Sequence, residues 1–480
     1  MEELMEQKLE KLVPSENILI DSPPGSGKTT FAIELINDMH FSEKVIYITP
    51  LLTEVRRIKN ECQYKNFKEP DVKRGRGRKA NHLLSLIQEG NNIASTHALF
   101  SEITDEVINE LRKQNYTLFL DESFTVIKNY DLFTEDEYKR KSEEELEKMT
   151  IAEVNQLLLD GILAVEADYR LVWAKETFGY EKYKMIRTLC ERHMLYYINK
   201  TVLMWAFPAE VFKSVFTKVY VLTYQFEFQM QKSFYDYHGI SYEKFHIEKI
   251  GGNYEMVKTV NNQYELDFIN SIKDKLKFFE HSDYIFQDGY ALSLRWYKRD
   301  VGKEEDDEEV EGDRIGTDKV KVEKISLFDD MEKNWEKEMK KGKCEGVTIL
   351  KKALGNFFKN YSDNAKAKDV FWGTFDQFKK YLRSDRSSYA TRVPMNQRAT
   401  NEYRNKRVVA YMVNRFVRPH YLEFFEKRNI KVNEKGYALS EMLQFIFRGR
   451  IRQGESMIVY IPSSRMLKLI KAYLNGEMLS

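Results

Sequence analysis

The sequence predicts an α/β protein with two parallel-sheet domains, the first interrupted by a helical insertion. Three observations carry that expectation. Over the first 125 residues, short continuous apolar runs alternate with helical patterns, the mark of parallel strands covered on both faces. From about 130 to 215 the chain becomes polar and helical in texture, and an apolar strand then returns at Val219-Tyr220-Val221-Leu222-Thr223. Beyond 236 a second set of apolar runs follows. At roughly 150 residues per domain, 480 residues suggest about three units, met here by two domains and an insertion.

In chain order, 17–21 reads as a buried strand, followed by a Pro/Gly turn. A helix comes next, on which Phe31, Ala32, Leu35, Ile36 and Met39 recur at helical spacing. Further strands are expected at 45–49, 92–95 and 117–121. Thr150-Ile151-Ala152-Glu153 has capping-box spacing ahead of Leu157, Leu158 and Ile162. In the second region the candidate strands are 369–375, 408–413 and 457–461. The expected boundaries are 1–129 with 216–235 for the first domain, 130–215 for the insertion and 236–480 for the second domain. An acidic loop near 302–320 contains six consecutive acids, 304–309. It reads either as a solvated loop or as an acidic mimic competing for a basic groove. The chain shows no internal repeat at a fixed period.

Composition narrows the classes. With 42% hydrophobic and 13% aromatic residues, wholesale disorder is excluded. Lys and Arg number 76 against 75 Asp and Glu, so there is no global basic field and any nucleic-acid contact must be a local patch. Cys62, Cys190 and Cys344 are far apart, which removes a disulfide scaffold or a Cys-rich zinc site and suits a reducing compartment. The acid-rich N-terminus lacks a signal-peptide layout, and no apolar stretch approaches the ~18 residues of a membrane span. A soluble, cytoplasmic protein without membrane partners is expected.

Ser22-Pro23-Pro24-Gly25-Ser26-Gly27-Lys28-Thr29 stands between the first strand and the first helix, the context a Walker A loop requires. Gly25 and Gly27 let backbone N–H groups gather around phosphate oxygens, and the helix N-terminus adds its dipole. Pro24, Ser26 and Thr30 complete the expected phosphate cradle. Lys28 can reach the β- and γ-phosphates, and the Thr29 hydroxyl can ligate Mg²⁺. Ser22 departs from the glycine usual at the first position. The strand at 117–121 ends in Asp121-Glu122, a Walker B pattern: Asp121 holds the metal and Glu122 polarises the attacking water. ATP and Mg²⁺ are therefore the expected ligands.

Further segments resemble a helicase family. Thr49-Pro50-Leu51 looks like helicase motif Ia, and Ala94-Ser95-Thr96-His97-Ala98-Leu99-Phe100 looks like the segment that follows it. Asp121-Glu122-Ser123-Phe124 is similar to the DExx form of Walker B, and 222–226 sits where such proteins carry Ser-Ala-Thr. Gln444-Phe445-Ile446-Phe447-Arg448-Gly449-Arg450-Ile451-Arg452 resembles motif VI, with altered spacing. Resemblance extends to 205–208, 291–297, 398–401 and 460–466. Together these segments are similar to the DEAD-like superfamily 2 helicases of phages and mobile elements of Gram-positive bacteria, over roughly 17–470.

The resemblance implies two RecA-like P-loop NTPase domains, with ATP in the cleft between them and single-stranded nucleic acid crossing both. Gln444 would contact nucleotide. Arg452 and Arg448, four apart and expected on one helix face, would be the arginine-finger candidates. Thr49, Pro50, Thr96 and His97 would face the nucleic acid, although His97 is equally readable as a hydrogen-bonded structural histidine. Lys73-Arg74-Gly75-Arg76-Gly77-Arg78-Lys79 places five positive charges in seven residues. That segment is suited to following phosphates without reading sequence, or is simply a solvated loop. Most of the 30 Phe, 29 Tyr and 5 Trp must be core, with Trp296 and Tyr297 the candidate stacking platforms.

The expected function is an ATP-dependent helicase or translocase. Single-stranded DNA is favoured over RNA, and the setting would be phage replication or recombination with partner proteins from those pathways. The rivals are an ATP-gated nucleic-acid clamp or remodelling scaffold and a double-strand translocase that does not unwind.

Overall fold

The structure is a computed structural model and describes residues 15–71, 73–75, 79–101, 103–130, 150–176, 181–298, 345–383, 390–395 and 402–479. The acidic run 304–309, Arg76, Arg78, the segment 398–401 and Cys344 lie outside the described residues. The chain forms two compact units, Met1–Tyr264 with Val417–Tyr437, and Glu265–Phe416 with Ala438–Leu479.

The first unit is built on β1 (Glu16–Asp21), β2 (Lys44–Thr49), β3 (Ile93–Thr96) and β4 (Tyr116–Asp121), with helices α1 (Lys28–Asp38), α2 (Leu52–Glu61), α3 (Lys79–Gln88), α4 (His97–Phe100) and α5 (Asp105–Gln114) between them. The segment after β4 supplies β5 (Ile127–Asn129), α6 (Ile151–Leu159), β6 (Leu163–Val165), β7 (Leu171–Trp173), α7 (Lys184–Glu191), β8 (Leu195–Ile198) and β9 (Thr201–Trp205). The chain then returns through β10 (Lys218–Thr223), α8 (Met230–His238), β11 (Glu243–Ile250) and β12 (Asn253–Lys258). Seven strands form one sheet in the order β12-β11-β1-β10-β4-β2-β3, parallel throughout except at the β12 edge.

Continuous apolar strands explain why both faces of that sheet are covered. Leu19, Ile46, Ile48, Leu118, Leu120, Val219 and Val221 enter the core on one face. Their neighbours Ile18, Ile20, Val45, Tyr47, Phe119, Tyr220 and Leu222 enter the core on the other, with Phe31, Ile33 and Ile36 of α1 and Val55 and Ile58 of α2. Period-2 alternation sends successive side chains to opposite faces, so a strand apolar at every position must be buried twice.

Two boundaries differ from the expectation. The insertion is not wholly helical: β5-β9-β8 and β6-β7 make two antiparallel sheets beside α6 and α7. The reason is local. Asn199 and Lys200 both take positive φ (47° and 59°), a two-residue hairpin turn joining the aromatic and β-branched runs of β8 and β9. Thr150 does cap α6 through a reciprocal capping box with Glu153. Second, the first unit extends past 235. Gly251 and Gly252 (φ 60° and 101°) close the β11–β12 hairpin, which joins the first sheet beside β1. The helix Pro419–Glu426 also belongs to the first unit, with Phe424 and Phe425 in its core.

The second unit carries a five-stranded parallel sheet. Its strands β13 (Leu276–Phe278), β14 (Val370–Gly373), β15 (Thr391–Arg392), β16 (Val408–Tyr411) and β17 (Met457–Tyr460) lie in the order β13-β17-β16-β14-β15. Tyr297, expected as a stacking platform, is instead core: it is fully buried and its hydroxyl donates to the Met412 carbonyl at 2.8 Å. Trp296 packs edge-on against Tyr297 and Phe286. No helix among the described residues is long and apolar enough to cross a membrane.

Candidate functional site

The C-terminal ends of β1, β10, β4, β2 and β3 lie side by side and in register. Asp21 pairs with Thr223, Leu222 with Asp121, Ile48 with Leu120, and Thr49 with Thr96. In open α/β sheets this edge is where loops converge to bind ligands. The sequence thus brings Ser22–Thr30, Thr49, Thr96, His97, Asp121 and Glu122 to one edge of one sheet.

The loop between β1 and α1 turns on two glycines. Gly25 and Gly27 have φ of 93° and 96°, conformations open to glycine at little cost. Gly27 is the N-cap of α1, and no side chain caps the helix, whose start carries the positive end of its dipole. The Lys28 ammonium is buried and donates to the Ser22 carbonyl and, at 3.1 Å, to that of Pro23. Thr29 and Thr30 follow in the first turn, partly exposed. Ser22 explains its own departure from glycine: it is fully buried and its hydroxyl accepts the Ile247 N–H at 2.8 Å, tying the loop to β11. Tyr254 on β12 packs its ring directly on Gly27.

Asp121 ends β4 and is 3% exposed. Burial pushes its carboxyl up to about 7, Glu122 and Glu54 add to the rise, and Lys28 opposes it. Glu54 lies buried on α2, 3.6 Å from Arg57. The Tyr47 hydroxyl is held well above its ordinary range, by burial first and then by Asp121. Glu122 has φ 69°, rare for a residue with a long side chain. Its N–H donates to the Leu222 carbonyl at 2.8 Å, and the His97 Nε2 lies 2.9 Å from the Asp121 carbonyl.

ATP and Mg²⁺ fit these residues. A helix start beside Lys28 suits phosphate oxygens, and a carboxyl driven up by burial and by two nearby acids would be relieved by a dication. Among the described residues no group of three or more His, Cys, Asp or Glu forms a complete metal site. A magnesium ion here would complete its shell with phosphate and water, as that ion commonly does.

Asp21 was not singled out from the sequence. It accepts the Gln225 and Phe226 N–H groups at 2.7 and 3.2 Å, and Lys244 stands 3.1 Å from it. The only signal was an acid ending an apolar strand just ahead of the phosphate loop.

The remaining candidates separate. Thr49 is fully buried, while Pro50, Thr96 and His97 are partly exposed. Lys73 and Arg74 are exposed on a turn whose amides donate to the Asp71 carboxylate (2.7 and 3.2 Å), and Lys79 opens α3.

In the second unit the helix Glu434–Ile446 stops before the arginines, so Arg448 and Arg452 do not share a helix face. Arg448 lies in the following turn, 5% exposed, donating to the Pro394 and Met395 carbonyls at 3.0 and 3.2 Å. Arg452 belongs to a separate 3₁₀ turn, Arg450–Gln453, begun by the extended Gly449. The buried Nε2 of Gln444 has no hydrogen-bond partner among the described residues.

A family model described as the YonV C-terminal Rossmann-like domain matches residues 308–474. The SPbeta prophage-derived protein YonV of Bacillus subtilis (strain 168) is 32% identical over 466 residues, covering 96% of this chain and 98% of that protein. Among solved structures, S. tokodaii Xpd4 is similar with a TM-score of 0.45 at 12% identity, over 96% of this chain and 94% of that one. The DUF1998 helicase MrfA bound to DNA is similar with a TM-score of 0.31 at 10% identity, over 96% of this chain and 49% of that one.

Proposed function

The chain belongs to the YonV family, and we propose that it is a nucleic-acid-dependent ATPase that moves along or unwinds DNA. The observation that carries this reading is the pairing, at one sheet edge, of a helix start without a side-chain cap, bearing Lys28, with the buried Asp121, whose negative charge Lys28 favours, and its neighbour Glu122.

In this reading the amides of Gly25, Ser26 and Gly27 and the start of α1 bind the phosphate chain, with Pro24 and Thr30 flanking it. Lys28 exchanges the carbonyls of Ser22 and Pro23 for phosphate oxygens. Thr29 and Asp121 hold Mg²⁺, which supplies neutralising charge to the phosphates. Glu122 takes the proton of the attacking water.

The second unit is read, like the first, as RecA-like. It contributes Gln444 to nucleotide binding and an arginine to charge stabilisation. Arg452 and Arg448 are the candidates, and Arg448 would first have to leave the Pro394 and Met395 carbonyls. Pro50, Thr96, Lys73, Arg74 and Lys79 supply sequence-independent contacts to a strand, single-stranded DNA in the first instance. A role in phage replication or recombination accords with the prophage origin of the relative.

The test is steady-state ATP hydrolysis by wild type, Lys28→Ala and Glu122→Gln, alone and with single-stranded DNA, duplex DNA or single-stranded RNA. Stimulation by one polymer, abolished in both variants, is expected. Full stimulated turnover in Lys28→Ala would sink the proposal. Slow hydrolysis indifferent to every polymer, joined to long-lived ATP-dependent DNA binding, would favour a clamp.

A further inference from the structure

The peptide plane between Asp121 and Glu122 is fixed at both ends. Its N–H, on Glu122, donates to the Leu222 carbonyl of β10 at 2.8 Å, and its C=O, on Asp121, lies 2.9 Å from His97 Nε2. A carbonyl only accepts, so that nitrogen carries the hydrogen and His97 is the donor. In the sheet β2 lies between β4 and β3, so a residue starting α4 at the end of β3 reaches across β2 to grip the end of β4. The imidazole is steadied by the Phe124 ring, 4.6 Å away between centroids.

What this plane controls is the direction of Glu122. A long, unbranched side chain at φ 69° costs free energy and persists where surrounding contacts over-determine the backbone. The hydrogen bond to the Leu222 carbonyl alone leaves the plane free to rotate about the N–H end. The second bond, from His97, removes that freedom.

We propose that His97 is a positioning residue of the ATPase: by donating to the Asp121 carbonyl it locks the Asp121–Glu122 peptide and aims the Glu122 carboxylate at the attacking water. This assigns His97 a place in the hydrolytic machinery in place of a direct contact with nucleic acid. It rests on the ATPase reading above for its kinetic consequence, and on geometry alone for the locked peptide.

Two variants test it. His97→Phe keeps a ring against Phe124 and removes the donor; His97→Gln removes the ring and restores an N–H donor. In nucleotide-free protein, amide exchange at Glu122 is expected to rise about tenfold in His97→Phe and to stay near wild type in His97→Gln. With single-stranded DNA, kcat for ATP hydrolysis is expected to fall about 10- to 100-fold in His97→Phe, with KM for ATP within about twofold, and to recover most of that loss in His97→Gln. Unchanged exchange at Glu122 in His97→Phe overturns the proposal, as does a His97→Gln protein as impaired as His97→Phe. If wild type and Glu122→Gln hydrolyse ATP alike, the ATPase reading fails, and the exchange measurement still decides whether His97 locks the peptide.

Discussion

The Tyr254 ring lies so close to Gly27 that a Cβ on that glycine would meet its Cε1 at 2.1 Å. Gly27 also sits at φ 96°, so two separate forces keep a side chain out of the phosphate loop. Gly27→Ala is expected to destabilise the protein by about 1–3 kcal/mol in denaturant unfolding, from strain and overpacking together. Adding Tyr254→Ala should return the part owed to overpacking and leave the part owed to φ. A double variant no more stable than Gly27→Ala would show that the ring simply swings aside.

Asp21 ties the chain after β10 to the start of the phosphate loop. Its carboxylate takes the N–H groups of Gln225, itself at φ 57°, and Phe226, and it pairs with Lys244. Asp21→Ala leaves two buried donors and a lysine without that acceptor. The expected loss is about 3 kcal/mol in a urea titration. Asp21→Asn keeps one acceptor oxygen and should lose less. If both variants cost the same, the charge, and not the pair of amide bonds, holds this corner together.

The sheet scaffold was legible in the sequence because its strands carry continuous apolar runs, such as Ile18-Leu19-Ile20 and Val45-Ile46-Tyr47-Ile48, which double burial explains. The strands expected at 17–21, 45–49, 92–95, 117–121, 408–413 and 457–461 fall within about two residues of β1, β2, β3, β4, β16 and β17. The turn between β1 and α1 was equally legible, since Gly25 and Gly27 mark its positive-φ backbone directly.

What was not legible is whatever depends on pairing between distant segments. The short strands β8 and β9, apolar as they are, fall inside a segment whose overall texture reads as helical, because Asn199-Lys200 is a weaker turn signal than Asn-Gly. The β11–β12 hairpin, assigned to the second domain by its position after 236, joins the first sheet through β1. Four-residue spacing puts Arg448 and Arg452 on one helix face only if the helix continues, and it ends at Ile446. The contact of His97 with the Asp121 carbonyl is likewise a long-range one, made across β2, and no local pattern announces it.

His238 gives the fold a specific acid sensitivity. It is the last residue of α8, where the helix dipole favours protonation, yet its ring is packed among Trp205, Phe234 and Tyr237. Burial lowers its pKa from 6.5 to about 4, and Lys213 adds to the fall. The unfolded chain therefore binds the extra proton between these two values. Stability contributed by the neutral ring is fully present above pH 6.5 and is lost as pH falls towards 4, up to about 3 kcal/mol. His238→Phe should flatten that part of the stability profile in urea titrations at pH 7.5, 5.5 and 4.5. A slope unchanged by the substitution would assign the acid sensitivity to carboxylates elsewhere.

Arg448 and Arg452 should separate when each is removed. The Arg448 guanidinium is buried, bridges the Pro394 and Met395 carbonyls and stacks on Phe445 at 4.8 Å. A planar fork satisfies two carbonyls at once, and a lysine ammonium does not reproduce it. Arg448→Ala and Arg448→Lys are both expected to lower the unfolding midpoint, with a loss of about 2–3 kcal/mol for Ala. Arg452 is only partly buried on its 3₁₀ turn, so Arg452→Ala should cost less than Arg448→Ala, about 1 kcal/mol or under. If Arg452 stabilises charge on the transferred phosphate, the same variant should reduce DNA-stimulated ATP turnover by about 100-fold or more. The opposite pattern, in which Arg448→Ala folds as stably as wild type yet has lost turnover while Arg452→Ala hydrolyses normally, would move the assignment to Arg448 and make its two carbonyl contacts a resting position.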